Sequence, residues 1–334
     1  MIFQANPLFV KRIINCISLT VLMLCVNAAA LGQRESTHSE VEQLIAEGNR
    51  QIERGNYQTA LDSFEHALRH CSAHYPEAYV GKGTAMQQLG RDEEALEAFE
   101  DALDRGSKAP VVFLKMGISH SNLGQYGRAI SSTLEYIERR PSDGAGYISL
   151  AWYYSLKREY RLAVDAGLKA VRYSPENYLS HTNLCRAYND VRRYRDAVNS
   201  CKQALRLEPG DGESNLYLGY AYSFLDQDES ASAAIEKAIV GLERYVRQQP
   251  KYADGYYLLG NAYMAADQAE SAIGPLKQAI KLQPNFPFAI ASLGFAFWQT
   301  GDSSRAKEQY RILRTLDTVE AEKLWSRISS SPSR

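Results

Sequence analysis

His66, His70, Cys71 and His74 are the residues of this chain whose types and spacing come nearest to a metal site. Two histidines four apart share one face of a helix, and imidazole nitrogens and a thiolate are ligands that zinc accepts. No ligand motif frames them, however, and histidines closing a helix also simply suit the negative end of its macrodipole. The expectation is no metal and no cofactor. Other chemistry is equally sparse: the sequence has no phosphate-cradling glycine loop, no paired CxxC, no HExxH and no GxSxG. No catalytic residue stands out, and the chain does not read as an enzyme. A formal net charge of −1, without a dense Lys/Arg run, gives no footing to a nucleic-acid partner.

What the residues do show is a period. Gly55-Asn56-Tyr57-Gln58-Thr59-Ala60-Leu61 is echoed by Gly90-Arg91-Asp92-Glu93-Glu94-Ala95-Leu96 and by Gly124-Gln125-Tyr126-Gly127-Arg128-Ala129-Ile130. An alanine column runs through Ala60, Ala95, Ala129, Ala163, Ala197, Ala231, Ala272 and Ala306, at spacings of 34 or 35 with a single 41. A second column of small residues holds Gly48, Gly83, Gly117, Ala151, Cys185, Gly219, Gly260 and Gly294. Small residues at matched places on two helices let their backbones approach closely. Pro141, Pro175, Pro209 and Pro284 close successive units, because proline lacks an N–H and disfavours helix in its predecessor.

In these columns the chain resembles the tetratricopeptide repeat family, over about residues 41–320 and eight units. The resemblance implies an all-α fold, a right-handed superhelical solenoid of antiparallel helix pairs with a concave groove. Two departures stand out. Between the sixth and seventh units seven extra residues appear, close to two helical turns of about 7.2 residues, so a helix lengthened by them keeps its facing. One long helix from about Asp228 to Gln248 is therefore expected, overhanging the solenoid edge and bent at Gly241. It either packs on its own neighbour or serves as a docking knob, and the first is the plainer reading. The second departure is in the column of Phe64, Phe99, Leu276 and Tyr310, which carries Thr133, Gly167 and Cys201 in the middle units. Either Tyr154, Tyr188 and Tyr222 fill the space, or the stretch is a flexible waist.

Cys185 and Cys201 occupy facing columns of the fifth unit. They are either two small buried residues in tight helix contact, the plainer reading, or a disulfide, which needs a Cα separation of about 4.4–6.8 Å. His120 and His181 fall on structural columns and read as core residues.

The concave groove is where the resemblance places partner binding, lined by first-helix residues. The candidates are Asn49, Trp152, Arg186, Tyr220, Tyr257, Asn261, Phe295 and Trp298. Family members that clamp a peptide's terminal carboxylate use an Asn with Lys/Arg partners; only Asn49 fits here, without a basic cluster. Trp, Tyr and Arg anchors instead suit an apolar or aromatic peptide segment. Some of the last aromatics are alternatively covered by a terminal helix over 318–329, whose stripe of Val319, Leu324, Trp325 and Ile328 would cap the last unit.

Residues 1–30 have a different character. Lys11 and Arg12 precede the apolar Ile13–Val26, and Ala28-Ala29-Ala30 follows, the order of a secretory signal. An uncleaved anchor over 13–31 is the alternative. A linker over 31–38 leads to Ser39-Glu40-Val41-Glu42, which fits a capping box. The reading is an exported, periplasmic or extracellular, protein–protein interaction scaffold that binds a peptide segment. The alternative is an accessory subunit of an envelope enzyme, secretion or pilus assembly machine.

Overall fold

The computed structural model describes residues 38–70 and 75–329. All regular structure among them is helical. The helices come in sequential pairs: α1 (38–53) with α2 (Tyr57–His70), α3 (Pro76–Gln88) with α4 (Asp92–Asp104), and α5 (Val111–Asn122) with α6 (Tyr126–Arg139). Then follow α7 (Gly144–Leu156) with α8 (Tyr160–Tyr173), α9 (Tyr178–Asp190) with α10 (Tyr194–Leu207), and α11 (Gly212–Ser223) with α12 (Asp228–Gln248). The array closes with α13 (Ala253–Ala265) and α14 (Ala269–Leu282), α15 (Pro287–Gln299) and α16 (Ser303–Leu316), and a single α17 (Thr318–Ile328). The expected N-terminal signal, Cys71 and His74 lie outside the described residues. Helix α1 already runs through Ser39, so Ser39 is not a cap, contrary to the capping-box expectation.

The chain divides into two compact units. One takes the described residues up to Met86 together with Glu97–Ser107. Its core is built on Phe64 and Phe99, both fully buried, and the Phe64 ring occupies the space left by Gly48 and Gly81. The second unit takes Gln87–Leu96 and the chain from Lys108 on. Here first helices such as α7, α11 and α15 are apolar around much of their circumference, because neighbours enclose them. Second helices such as α6 and α10 carry one apolar stripe and a wet face. Asp143, Asn177 and Asp211 start α7, α9 and α11 by accepting from Ala145, Leu179 and Ser214 amides.

Each turn between paired helices places one residue in the left-handed region. Gly55, Gly90, Gly124 and Gly301 do so freely, whereas Arg158, Arg192, Asp226 and Asp267 do so at φ of 56–63°, in the same column. Arg158 has a compensating role. Its Nη2 donates to Asp317 at 2.6 Å and to Glu320 at 2.9 Å, and its guanidinium lies over Phe288. This clasp ties the turn after α7 to the start of α17. Tyr252 similarly donates to Gln88 at 3.4 Å. The second unit therefore winds far enough for residues about half the chain apart in sequence to touch.

Helix α12 uses its extra turns for packing. Leu242 and Val246 are buried and Tyr245 rests beside Gly255. Gly241 is a point of close approach: a Cβ there would stand 2.7 Å from Gly212 Cα and 2.8 Å from Gly210 O. Its role is thus contact between backbones, where the sequence suggested a bend. In the middle units close neighbours pack against the small column. Thr133 is fully buried and donates to Ala129 O at 2.8 Å, Tyr153 packs beside Gly117, and Gly167 lets the Leu184 backbone draw in. Tyr188 is buried, with Tyr154 and Tyr222 packed partly against the same core.

Cys185 and Cys201 are joined by a disulfide across α9 and α10, with Cα atoms 5.2 Å apart and both residues fully buried. The plainer sequence reading of two free thiols is corrected here. The two columns face each other so closely that their sulfurs meet. His181 is also corrected: it is partly exposed and donates from Nε2 to Pro175 O at 2.8 Å, whereas His120 is buried beside Gln125.

Candidate functional site

Within the second unit, three cavities run head to tail along the first helices. The largest, about 650 Å³, lies among α7, α9, α11, α12 and α13. It shares Trp152, Arg186 and Leu258 with a second of about 380 Å³. That one shares Tyr220, Tyr257, Asn261, Phe288 and Ser292 with a third of about 360 Å³ beside α17. These volumes fall within or near the range of ligand pockets, about 300–1,000 Å³.

The shared wall is Arg186. Only 4% exposed, it lies with its guanidinium 4.0 Å from the Trp152 ring centroid, and its Nη2 donates to Asn183 at 2.6 Å. Nη1 reaches Glu213 at 3.5 Å, a long contact, and Nε has no hydrogen-bond partner. Three carboxylates surround this cation: Asp190 from α9, Glu213 from α11 and Asp254 from α13. Burial raises Glu213 to about 7 and Asp254 to about 6, against the opposing pull of Arg186. Asp190 is raised for the same reason, with Arg186 again opposing. One guanidinium is thus too little to hold three part-buried carboxylates fully ionised.

A measurable pH dependence follows. These groups bind protons more tightly in the folded chain than in the unfolded one, so stability falls as pH rises through about 5 to 7. Asp92, raised to about 6 chiefly by burial, acts in the same direction. Urea denaturation should give a stability higher at pH 5.5 than at pH 8 by about 1–3 kcal/mol. Glu213→Gln should narrow the gap. A chain more stable at pH 8 would show that these carboxylates do not set the balance.

Of the eight residues expected to bind a partner, Trp152, Arg186, Tyr220, Tyr257, Asn261 and Phe295 line these cavities. Asn49 is exposed on α1, in the first unit. Trp298 lines none of the three cavities and stacks on Phe295 at 5.5 Å, and Arg327 of α17 covers Phe295 at 5.0 Å. The end of the groove is therefore partly packing. Sequence reasoning missed Glu213, Asp254, Asp190 and Arg158. A signal existed for two of them. Glu213 and Asp254 stand six places before Gly219 and Gly260, in the column of Glu42 and Glu77.

Antiparallel helix pairs stacked in sequence, with a groove lined by the first helix of each pair, define an α-solenoid of the repeat type. The fold is that of a tetratricopeptide-repeat solenoid, and the chain carries tetratricopeptide repeats. One family model described as tetratricopeptide repeat matches residues 45–110 and another matches residues 253–286. No curated protein matches the chain. A tetratricopeptide repeat protein from Parabacteroides merdae is similar at a TM-score of 0.58 and 18% identity, over 78% of this chain and 99% of that one. The heterotetramer Cut9–Hcn1 of the APC/C is similar at 0.53 and 16% identity, over 85% of this chain. The alignment spans only 55% of that structure's chain. Pseudomonas aeruginosa pilF is similar at 0.52 and 16% identity, over 64% of this chain and 94% of that one. At these identities the likeness is one of fold. No helix among the described residues is long and apolar enough to cross a membrane.

Proposed function

We propose that this chain is an exported protein–protein interaction scaffold that receives a segment of a partner protein in the groove of its second unit. Tetratricopeptide folds support protein–protein interaction in general. The observation that carries the reading is the continuity of the three cavities, walled by Trp152, Arg186, Tyr220, Tyr257 and Phe295. Aromatic and Arg side chains of this kind dominate the binding energy of interfaces. Export is supported by the signal-like order of residues 1–30 and by the Cys185–Cys201 disulfide, since disulfides persist in oxidising compartments.

An affinity pull-down from envelope extract tests this, with the chain as bait and Trp152→Ala/Tyr220→Ala/Tyr257→Ala as control. The partner should bind the triple variant at least about tenfold more weakly, provided thermal melting shows it folded. Equal recovery by both baits would move the binding surface off the groove.

A further inference from the structure

The largest cavity has an unbalanced lining. Four carboxylates, Glu208, Asp211, Glu213 and Asp254, face it against two guanidinium groups, Arg186 and Arg244. Several of these charges are already committed. Arg244 donates to Gly210 O at 2.7 Å, and Asp211 caps α11 through the Ser214 amide at 2.9 Å. Glu213 has only the 3.5 Å contact to Arg186, with 22% of its side chain exposed. Asp254 lines the cavity with no hydrogen bond or ion pair. Tyr178 and Tyr245 add aromatic wall. Such rings attract cations through their faces, most strongly where water is displaced.

The second observation concerns Arg186. It is 4% exposed, stands in the wall common to the two larger cavities, and meets Glu213 only through a long 3.5 Å Nη1 contact. A guanidinium whose carboxylate contact is this long gains from a better-placed acceptor on whatever fills the space. An occupant must therefore bring a cation for Glu213 and Asp254 and a hydrogen-bond acceptor for Arg186. A peptide with a basic side chain carries both, the ammonium or guanidinium at its tip and the carbonyl of its own main chain.

Resting on the groove reading above, we propose that this cavity is a subsite for a Lys or Arg side chain of the bound segment, with Glu213 and Asp254 as its acceptors and Arg186 holding the adjoining backbone. This changes the expected ligand from an apolar or aromatic segment to one with a basic residue between apolar ones. The aromatic cavities beyond Arg186 take the neighbouring side chains.

Calorimetric titration of the purified chain near pH 8, where the carboxylates are largely ionised, tests the proposal. Two synthetic peptides of about a dozen residues share one Leu/Tyr/Ser/Gly sequence and differ only in carrying Lys or Gln at two central positions. The Lys peptide should bind about tenfold more tightly, and Glu213→Gln/Asp254→Asn should remove most of that preference, bringing the two peptides' affinities for the variant close together. Thermal melting of the double variant checks that it is folded. Equal affinity of the two peptides for the unaltered chain would overturn the cationic subsite and leave the groove reading to the pull-down. A Lys preference that survives in the double variant would overturn the assignment to this cavity. Absence of binding by either peptide would overturn it as well.

Discussion

Gly241→Ala is expected to destabilise the chain by about 2–4 kcal/mol, although the same replacement within an exposed helix would stabilise it. Alanine is favoured over glycine by roughly 1 kcal/mol in a helix interior, and Gly241 lies well inside the 21-residue α12. The obstacle is the surface it faces. The alanine methyl would meet Gly212 Cα at 2.7 Å and Gly210 O at 2.8 Å. Those are backbone atoms, so no side chain can rotate away. The reciprocal contact is as tight, since a Cβ on Gly212 would stand 2.5 Å from the Leu242 amide nitrogen and 2.9 Å from Ala238 O. Relief would require α12 to move off the start of α11, uncovering Leu242, which is 2% exposed. At roughly 2–4 °C per kcal/mol for a unit of this size, the melting temperature should fall by about 4–16 °C. Gly127→Ala is the control, because nothing stands within 4 Å of its added Cβ; it should be neutral or slightly stabilising. Equal melting curves for Gly241→Ala and the unaltered chain would show that the two helices do not approach as described.

Loss of the Cys185–Cys201 disulfide should cost a similar amount. The bond closes a segment with a sequence separation of 16, for which chain entropy alone predicts roughly 3 kcal/mol. The effect should be concentrated. In a repeat array each unit is supported by its neighbours, so weakening α9 against α10 weakens the link between the repeats on either side. Reduction, or Cys185→Ala/Cys201→Ala, should lower the melting temperature by about 6–12 °C and speed amide exchange in α9 to α11 ahead of α14 and α15. The same bond supports the proposed compartment, because in a reducing cytosol it would be absent. A chain whose melting is indifferent to reductant would remove that support along with the stability argument.

The repeat itself was legible in the sequence because its cause is local. Ala163, Ala197 and their equivalents recur every 34 residues since each helix pair meets only its neighbours, and each must solve the same close-packing problem. The same locality made Trp152, Arg186, Tyr220 and Asn261 readable as one column along the groove. Where a residue's role was set by a partner of unknown distance, the sequence left alternatives. Cys185 and Cys201 lay on facing columns, but only the 5.2 Å approach of their Cα atoms decided between thiols and a disulfide. Gly241 signalled a special backbone position, and only the neighbouring Gly212 made it a contact.

The rest belongs to tertiary structure. Arg158 meets Asp317 and Glu320 because the second unit winds back on itself, a geometry that accumulates from small rotations at every helix pair and appears in no single window. The chemistry around Arg186 has the same origin. Asp190 and Arg186 come from the fifth pair, Glu213 from the sixth and Asp254 from the seventh. Each taken alone is an ordinary polar residue on a first helix. Their protonation is set by burial and by one another, and both are properties of the assembled groove. The sequence by itself thus determined the repeat, the helix pairing and the groove face, whereas the charge inside that groove was decided only when distant repeats were wound together.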